Sequence, residues 1–271
     1  MSAISHDLPR AAVNAKLVAL ISSGAVFLGI LLSGFVISEP APYELYMAGL
    51  IAIWALFGLR ISRAATPLLV LLVMMNIGGM ISMTQMADLA NTPLYLAVSL
   101  FLAFSAVFFA SITAVQPSLY RLIFIAYVVS AVATSLLGIA GYFHAFPGAE
   151  MFTKYDRAAG AFQDPNVFGP FLVLPGIYLL YLLLTGPATR MPLLIITAGI
   201  FFSFSRGAWG MFTVSAVLLT GCLFLQSASG KFRLRVVVMT IAALALLVIA
   251  IIVILQLPGV SEMFSNRAQL E

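Results

Sequence analysis

Two short stretches hold most of the residues in this chain that could do chemistry. The first is GIFFSFSRGAWGM, residues 199–211, where Arg206 interrupts one of the most apolar runs of the sequence. An arginine at membrane depth costs at least ~2.5 kcal/mol on insertion scales and normally faces a cavity or a partner. The preceding apolar run is short. From Met191 to Ser205 a helix reaches about 22 Å, against a hydrocarbon core about 30 Å thick. Either the bilayer thins locally or Arg206 lies below the outer interface. Gly207 and Gly210 are expected to permit a tight backbone turn and close helix approach. Ser203 and Ser205 add hydroxyl donors beside the cation. The pattern favours a buried anion site; the plainer reading is an arginine that snorkels to lipid headgroups with its stem along the helix.

The second stretch is YDRAAGAFQDPNVFGPF, residues 155–171. Asp164 before Pro165 reads as an N-cap followed by proline at the first helical position, with Asn166 as the alternative cap. Either way a helix N-terminus is exposed here, with free N–H groups and the positive end of a dipole. Such an end suits phosphate. Arg157 could add a two-pronged donor, or could anchor to headgroups. Asp164 simply caps the helix or, in the chemical reading, it or Asp156 acts as a base. Pro170 and Pro175 are expected to kink the helix and open a gap beside it, which bundles tolerate where neighbours re-satisfy the backbone.

The elements that position these residues follow from composition. The chain is 63% hydrophobic and 8% charged, against roughly 25% charged in an ordinary soluble domain. Apolar runs near or above the length of a membrane span recur along it, so the expected fold is all-α, a single polytopic membrane domain over 1–271. The ten-residue alternation of a membrane β-barrel is not seen. The net charge of +4 does not point to nucleic acid, because the basic residues are scattered singly between apolar runs. Cys222 is the only cysteine and excludes an internal disulfide, while His6 and His144 are far apart and make no metal motif. The first apolar run is too long for the core of a cleavable signal and lacks a small-residue cleavage site.

Nine spans are expected, near 17–37, 44–59, 67–86, 94–115, 122–146, 166–184, 191–204, 208–226 and 236–257, separated by proline, glycine and polar clusters. Placing the N-terminus in the cytoplasm puts Arg10, Lys16, Arg60, Arg63, Arg121, Arg190, Lys231, Arg233 and Arg235 inside, and Lys154, Arg157, Arg206 and Arg267 outside. The positive-inside rule favours this orientation. The acidic residues agree, though they count for little: Glu39, Glu44, Asp88, Glu150, Asp156, Asp164, Glu262 and Glu271 all fall outside. The outer face thus departs from its basic deficit at the 147–165 loop, at Arg206 and at Arg267. Tyr43, Tyr46, Tyr142 and Tyr155 are expected in the outer aromatic belt, with His144 an interfacial histidine.

The two stretches together resemble the O-antigen ligase and polymerase superfamily of bacterial inner-membrane proteins. The likeness rests on R-x-x-G-x-F-x-x-P-N-x-x-G, carried by Arg157, Gly160, Phe162, Pro165, Asn166 and Gly169, followed after a helical gap by SRGA at Ser205 to Ala208. It covers roughly residues 120–271. The resemblance implies a glycosyltransferase working at the periplasmic face of the inner membrane. Its donor would be a glycan on undecaprenyl pyrophosphate, and its acceptor a lipid or another glycan, without metal or other cofactor. Arg206, Arg157, Asn166, Ser205, Gly207 and Arg267 would bind the pyrophosphate, with Asp164 or Asp156 as base. It also implies a large periplasmic loop and later spans beyond SEMFSNRAQLE, so the chain reads as a fragment of such a protein. Two rivals stay open. One is a transporter or flippase, which would show matching interrupted helices in its two halves, and no such pair is seen. The other is a non-catalytic scaffold.

Overall fold

The computed structural model describes residues 10–38, 40–57, 61–83, 85, 92–186, 190–227 and 229–241. Helices dominate: α1 (Arg10–Leu32), α2 (Pro42–Leu56), α3 (Thr66–Met83), α4 (Thr92–Val115), α5 (Leu119–Tyr142), α6 (Pro165–Thr185), α7 (Met191–Phe202) and α8 (Arg206–Gln226). A further helix covers 230–241. Each expected span overlaps a helix where it is described, with ends that differ by several residues; most of the ninth, along with Arg267 and the tail, lies outside the described residues. Five helices are long and apolar enough to cross a membrane, namely Arg63–Met83, Leu96–Val115, Leu119–Tyr142, Pro165–Thr185 and Arg206–Gln226. The apolar parts of α1, α2 and α7 are shorter.

Two apolar clusters hold the bundle. Val26, Met47, Leu50, Phe108, Ile112 and Leu119 join α1, α2, α4 and the start of α5. Phe162, Phe168, Leu172, Ile196, Ile200 and Ala208 knit α6, α7 and α8 against α5. Apolar burial drives little association inside a bilayer, so close packing and interhelical hydrogen bonds matter. Ser130 Oγ on α5 donates to the Leu31 carbonyl at the end of α1 (2.8 Å), and Tyr46 Oη donates to the Ala25 carbonyl (2.9 Å).

Two expectations are corrected here. α5 ends at Tyr142 rather than near 146, because His144 enters the left-handed region at φ 48°. The chain then folds back on α5 through a 3₁₀ turn, Ala149–Phe152, and a two-stranded hairpin, β1 (Thr153–Lys154) and β2 (Arg157–Ala158). The expected gap beside α6 is closed. Pro175 removes the N–H that would have bonded the Phe171 carbonyl, four residues earlier. The Tyr127 hydroxyl of α5 donates to that carbonyl instead, at 2.8 Å.

Candidate functional site

The motif residues meet at one end of the α5–α8 bundle, and each is held by a nameable force. The hairpin comes first. Thr153 pairs with Ala158 and Lys154 with Arg157. The two connecting residues, Tyr155 and Asp156, have φ of 56° and 53°, as a two-residue turn of mirror-image type requires. Asp tolerates that region and Tyr does so at a cost. The hairpin turns Arg157 inward, where only 6% of it remains exposed. A buried guanidinium needs partners. Arg157 Nε donates to the Ser203 carbonyl at 2.7 Å, and a terminal nitrogen donates to Asn166 Oδ1 at 2.8 Å. Arg157 therefore ties the loop to the start of α6 and to the turn between α7 and α8.

The loop from Ala159 to Asp164 is fixed on both sides. Gly160 adopts φ 57°, and a Cβ there would lie 2.5 Å from Thr134 Oγ1 and 2.7 Å from the Thr134 carbonyl. Only glycine fits. The Ala161 N–H donates to Thr134 Oγ1 (2.9 Å), while the Ala161 carbonyl accepts from the Val36 N–H (2.7 Å). Thr134 and the chain after α1 were not picked out by sequence. A signal existed: Ser130, Thr134 and Ser135 all point into the bundle from an apolar helix, and small hydroxyl residues at helical spacing mark helix-facing seams in membranes.

Asp164 is the N-cap of α6, accepting from the Asn166 N–H at 2.7 Å, with Pro165 in the first turn. One turn further on, a Cβ on Gly169 would lie 2.8 Å from both Ser203 Oγ and Ala208 Cβ, and 3.2 Å from Ser205 Cβ. This is the glycine that allows close approach between the two motif elements. It brings the head of α8 against the first turns of α6.

Ser205 caps α8, accepting from the Ala208 N–H at 3.4 Å, and Arg206 is the first helical residue. Gly207 and Gly210 do not make the turn. Both lie inside α8, and a Cβ on either would meet nothing within 4 Å. The turn falls on Phe204, with φ 46°. Glycine is usual at such a helix exit. The Phe204 ring instead packs against Phe201, Trp209 and Tyr142. The end of α7 is also satisfied: the Ile200 carbonyl accepts from Ser203 Oγ (2.6 Å) and from Trp209 Nε1 (2.9 Å).

α7 spans only Met191–Phe202, about 18 Å of helix against a hydrocarbon core of about 30 Å. Arg206 is exposed on the flank of the bundle rather than enclosed; Ser205 and Ala208 make the inward contacts and are buried. Asp156 stands on the exposed hairpin turn and Asn166 is exposed beside Arg157. Cys222 is free and exposed on α8.

The arrangement has a definite electrostatic sense. The N-termini of α6 and α8 lie side by side, neither has an acidic residue in its first turn, and α8 carries Arg206 there. A cation at a helix N-terminus opposes the dipole. Two such ends beside two arginines favour positive potential, which the Asp164 cap offsets in part. Among the described residues, no three His, Cys, Asp or Glu side chains gather into a group that could hold a metal. Compared with known proteins, the chain matches no family model, no curated sequence and no solved structure.

Proposed function

We propose that this protein transfers a glycan from undecaprenyl pyrophosphate to a glycan or lipid acceptor at the periplasmic face of the bacterial inner membrane, as an O-antigen ligase- or polymerase-like glycosyltransferase. The observation that carries the reading is the meeting of the two helix N-termini at Gly169 and Ser205, with Arg206 at the head of α8. A lipid pyrophosphate keeps its tail in hydrocarbon and its charge near the interface. It calls for cations slightly below that interface beside an apolar flank, and the short α7 supports such a depth for Arg206. The orientation is the one in which nine spans start from a cytoplasmic N-terminus.

In this reading an acceptor hydroxyl attacks the anomeric carbon of the donor sugar. The bond from that carbon to the pyrophosphate oxygen breaks, and the electron pair leaves with the lipid pyrophosphate. The hydroxyl proton passes to a carboxylate. Asp164, the N-cap of α6, and Asp156, on the exposed hairpin turn, are the two candidates. The leaving group gains negative charge in the transition state, so fixed positive ends stabilise it more than they stabilise the donor. Arg206, the Ser205 hydroxyl and the backbone at Gly207 would meet its oxygens. Asn166 shares that role, and Arg157 holds both helix starts in register. Arg267 is assigned to the same anion by the resemblance alone.

The test is transfer in proteoliposomes with an undecaprenyl-pyrophosphate glycan and membrane-derived acceptors. Release of undecaprenyl pyrophosphate together with an elongated or glycosylated acceptor is expected. Movement of the intact donor across the bilayer without bond cleavage would replace the reading with a transporter.

A further inference from the structure

The segment between α5 and α6 has a feature that no step of the proposed chemistry uses. The chain does not leave the bundle at the end of α5 but folds back beside it. A Cβ on Gly141 would lie 2.8 Å from the Ala149 carbonyl and 2.9 Å from Phe152 Cβ. A Cβ on Gly138 would lie 3.0 Å from the Gly160 backbone nitrogen. The 3₁₀ turn and the hairpin therefore stand level with the last two turns of α5. That helix has 24 residues, about 36 Å, against about 30 Å of hydrocarbon. A helix of that length centred in the bilayer ends at the boundary between acyl chains and headgroups, and the loop folds back to that level.

At that level the loop holds large apolar side chains outward. Phe146 is 42% exposed, Met151 61% and Tyr155 70%. Their exposure is built in, because the backbone beneath them is anchored: Ala149 is fully buried, and the Ala159 N–H donates to the Phe152 carbonyl at 2.9 Å. Lys154 lies over the Tyr155 ring at 5.3 Å. Around these side chains Glu150, Lys154 and Asp156 sum to a formal charge of −1, with no excess of positive charge to draw anionic lipid.

We propose that this loop is an interfacial anchor, with Phe146, Met151 and Tyr155 inserted at the headgroup–acyl boundary of the outer leaflet and Glu150 left in water. The partner is the lipid surface itself. Near-neutral charge makes the insertion apolar in origin, so it does not depend on anionic lipid. Continuity with α5 and α6, both of membrane-crossing length, puts lipid within reach. The inference is independent of the reaction the site runs.

The test uses the whole chain with Cys222 replaced by serine and single cysteines introduced as Phe146→Cys, Met151→Cys, Tyr155→Cys and Glu150→Cys. Each is nitroxide-labelled and reconstituted in phosphatidylcholine vesicles, with and without phosphatidylglycerol, and monodisperse elution is checked beforehand. Labels at 146, 151 and 155 are expected to show high collision with oxygen and low collision with an aqueous nickel chelate. The label at 150 is expected to show the reverse, and the pattern should be the same in both lipid mixtures. Equal chelate access at 151, 155 and 150 would overturn the proposal, placing the loop in water. Exclusion of both reagents from 151 and 155 would also overturn it, because a protein partner or second copy then covers the patch.

Discussion

Arg206 and Arg157 are the two arginines of the motif region, and the structure separates their work. Arg206 is exposed, while its neighbours Ser205 and Ala208 are the buried residues, so removing it touches little apolar packing. Arg206→Ala is expected to insert at normal abundance yet lose about 10²-fold or more in glycan transfer, the scale seen when one preorganised charge-stabilising donor is removed. Arg206→Lys keeps the charge but not the planar fork and is expected to be impaired as well. Transfer at the normal rate by Arg206→Ala, with membrane levels measured alongside, would return the residue to a headgroup anchor. Arg157→Ala behaves differently. It leaves the buried Ser203 carbonyl without the Arg157 donor and releases the exposed Asn166 side chain, at a cost of roughly 1.5–3 kcal/mol for a charged hydrogen bond. A lowered thermal midpoint in detergent is the expected outcome; an unchanged midpoint would mean that the tie is not what holds the loop.

Among the elements, the contact of α6 with α8 is the one on which the site depends. Gly169→Ala would push a methyl into Ala208 and Ser203, an overpacking of about 1–3 kcal/mol. It should also move the head of α8, so both the thermal midpoint and transfer are expected to fall. Gly210→Ala, where a Cβ meets open space, should leave both unchanged and serves as the control. These two glycines also show what sequence could and could not give. Asp164 as N-cap and Pro165 behind it were readable, because capping is local chemistry. Gly207 and Gly210 were misread as the turn, since a glycine beside a polar cluster ordinarily marks one. Phe204 takes the left-handed position, stabilised by aromatic neighbours on other turns that no local pattern reveals. The hairpin at 153–158 was missed for a related reason: Tyr-Asp lacks the glycine or asparagine that announces such a turn. Gly160 and Thr134 could be paired only once α5 and the loop were in contact.

At the scale of the whole molecule, the two ends of the bundle differ. The capped starts of α6 and α8, the hairpin and the left-handed residues gather at one end. At the other, Arg235 donates to the Leu183 carbonyl near the end of α6 (3.2 Å), and Arg233 donates to the Phe224 carbonyl near the end of α8 (3.2 Å). Cations at helix C-termini complement the dipole, and in the proposed orientation, which follows the basic bias of the sequence, that end faces the cytoplasm. Reporter fusions after Ala90 and after Ser229 are expected to signal periplasm and cytoplasm respectively. The reverse result would turn the proposed site to the wrong side of the membrane.

The hydrogen bond from Tyr127 to the Phe171 carbonyl bears on how the protein is made. α5 emerges from the ribosome before α6, so its hydroxyl can be in place when α6, with Pro175 in its interior, reaches the bilayer. An α6 that arrived alone would carry a carbonyl without a partner in hydrocarbon, a defect worth several kcal/mol. The expectation is an order in biogenesis, with the earlier helix as template for the later one. Tyr127→Phe is expected to leave α5 inserted while slowing the integration of α6. Glycosylation-site mapping of stalled nascent chains would read that delay directly, and integration of α6 at the unaltered rate would show that the bond forms only after assembly.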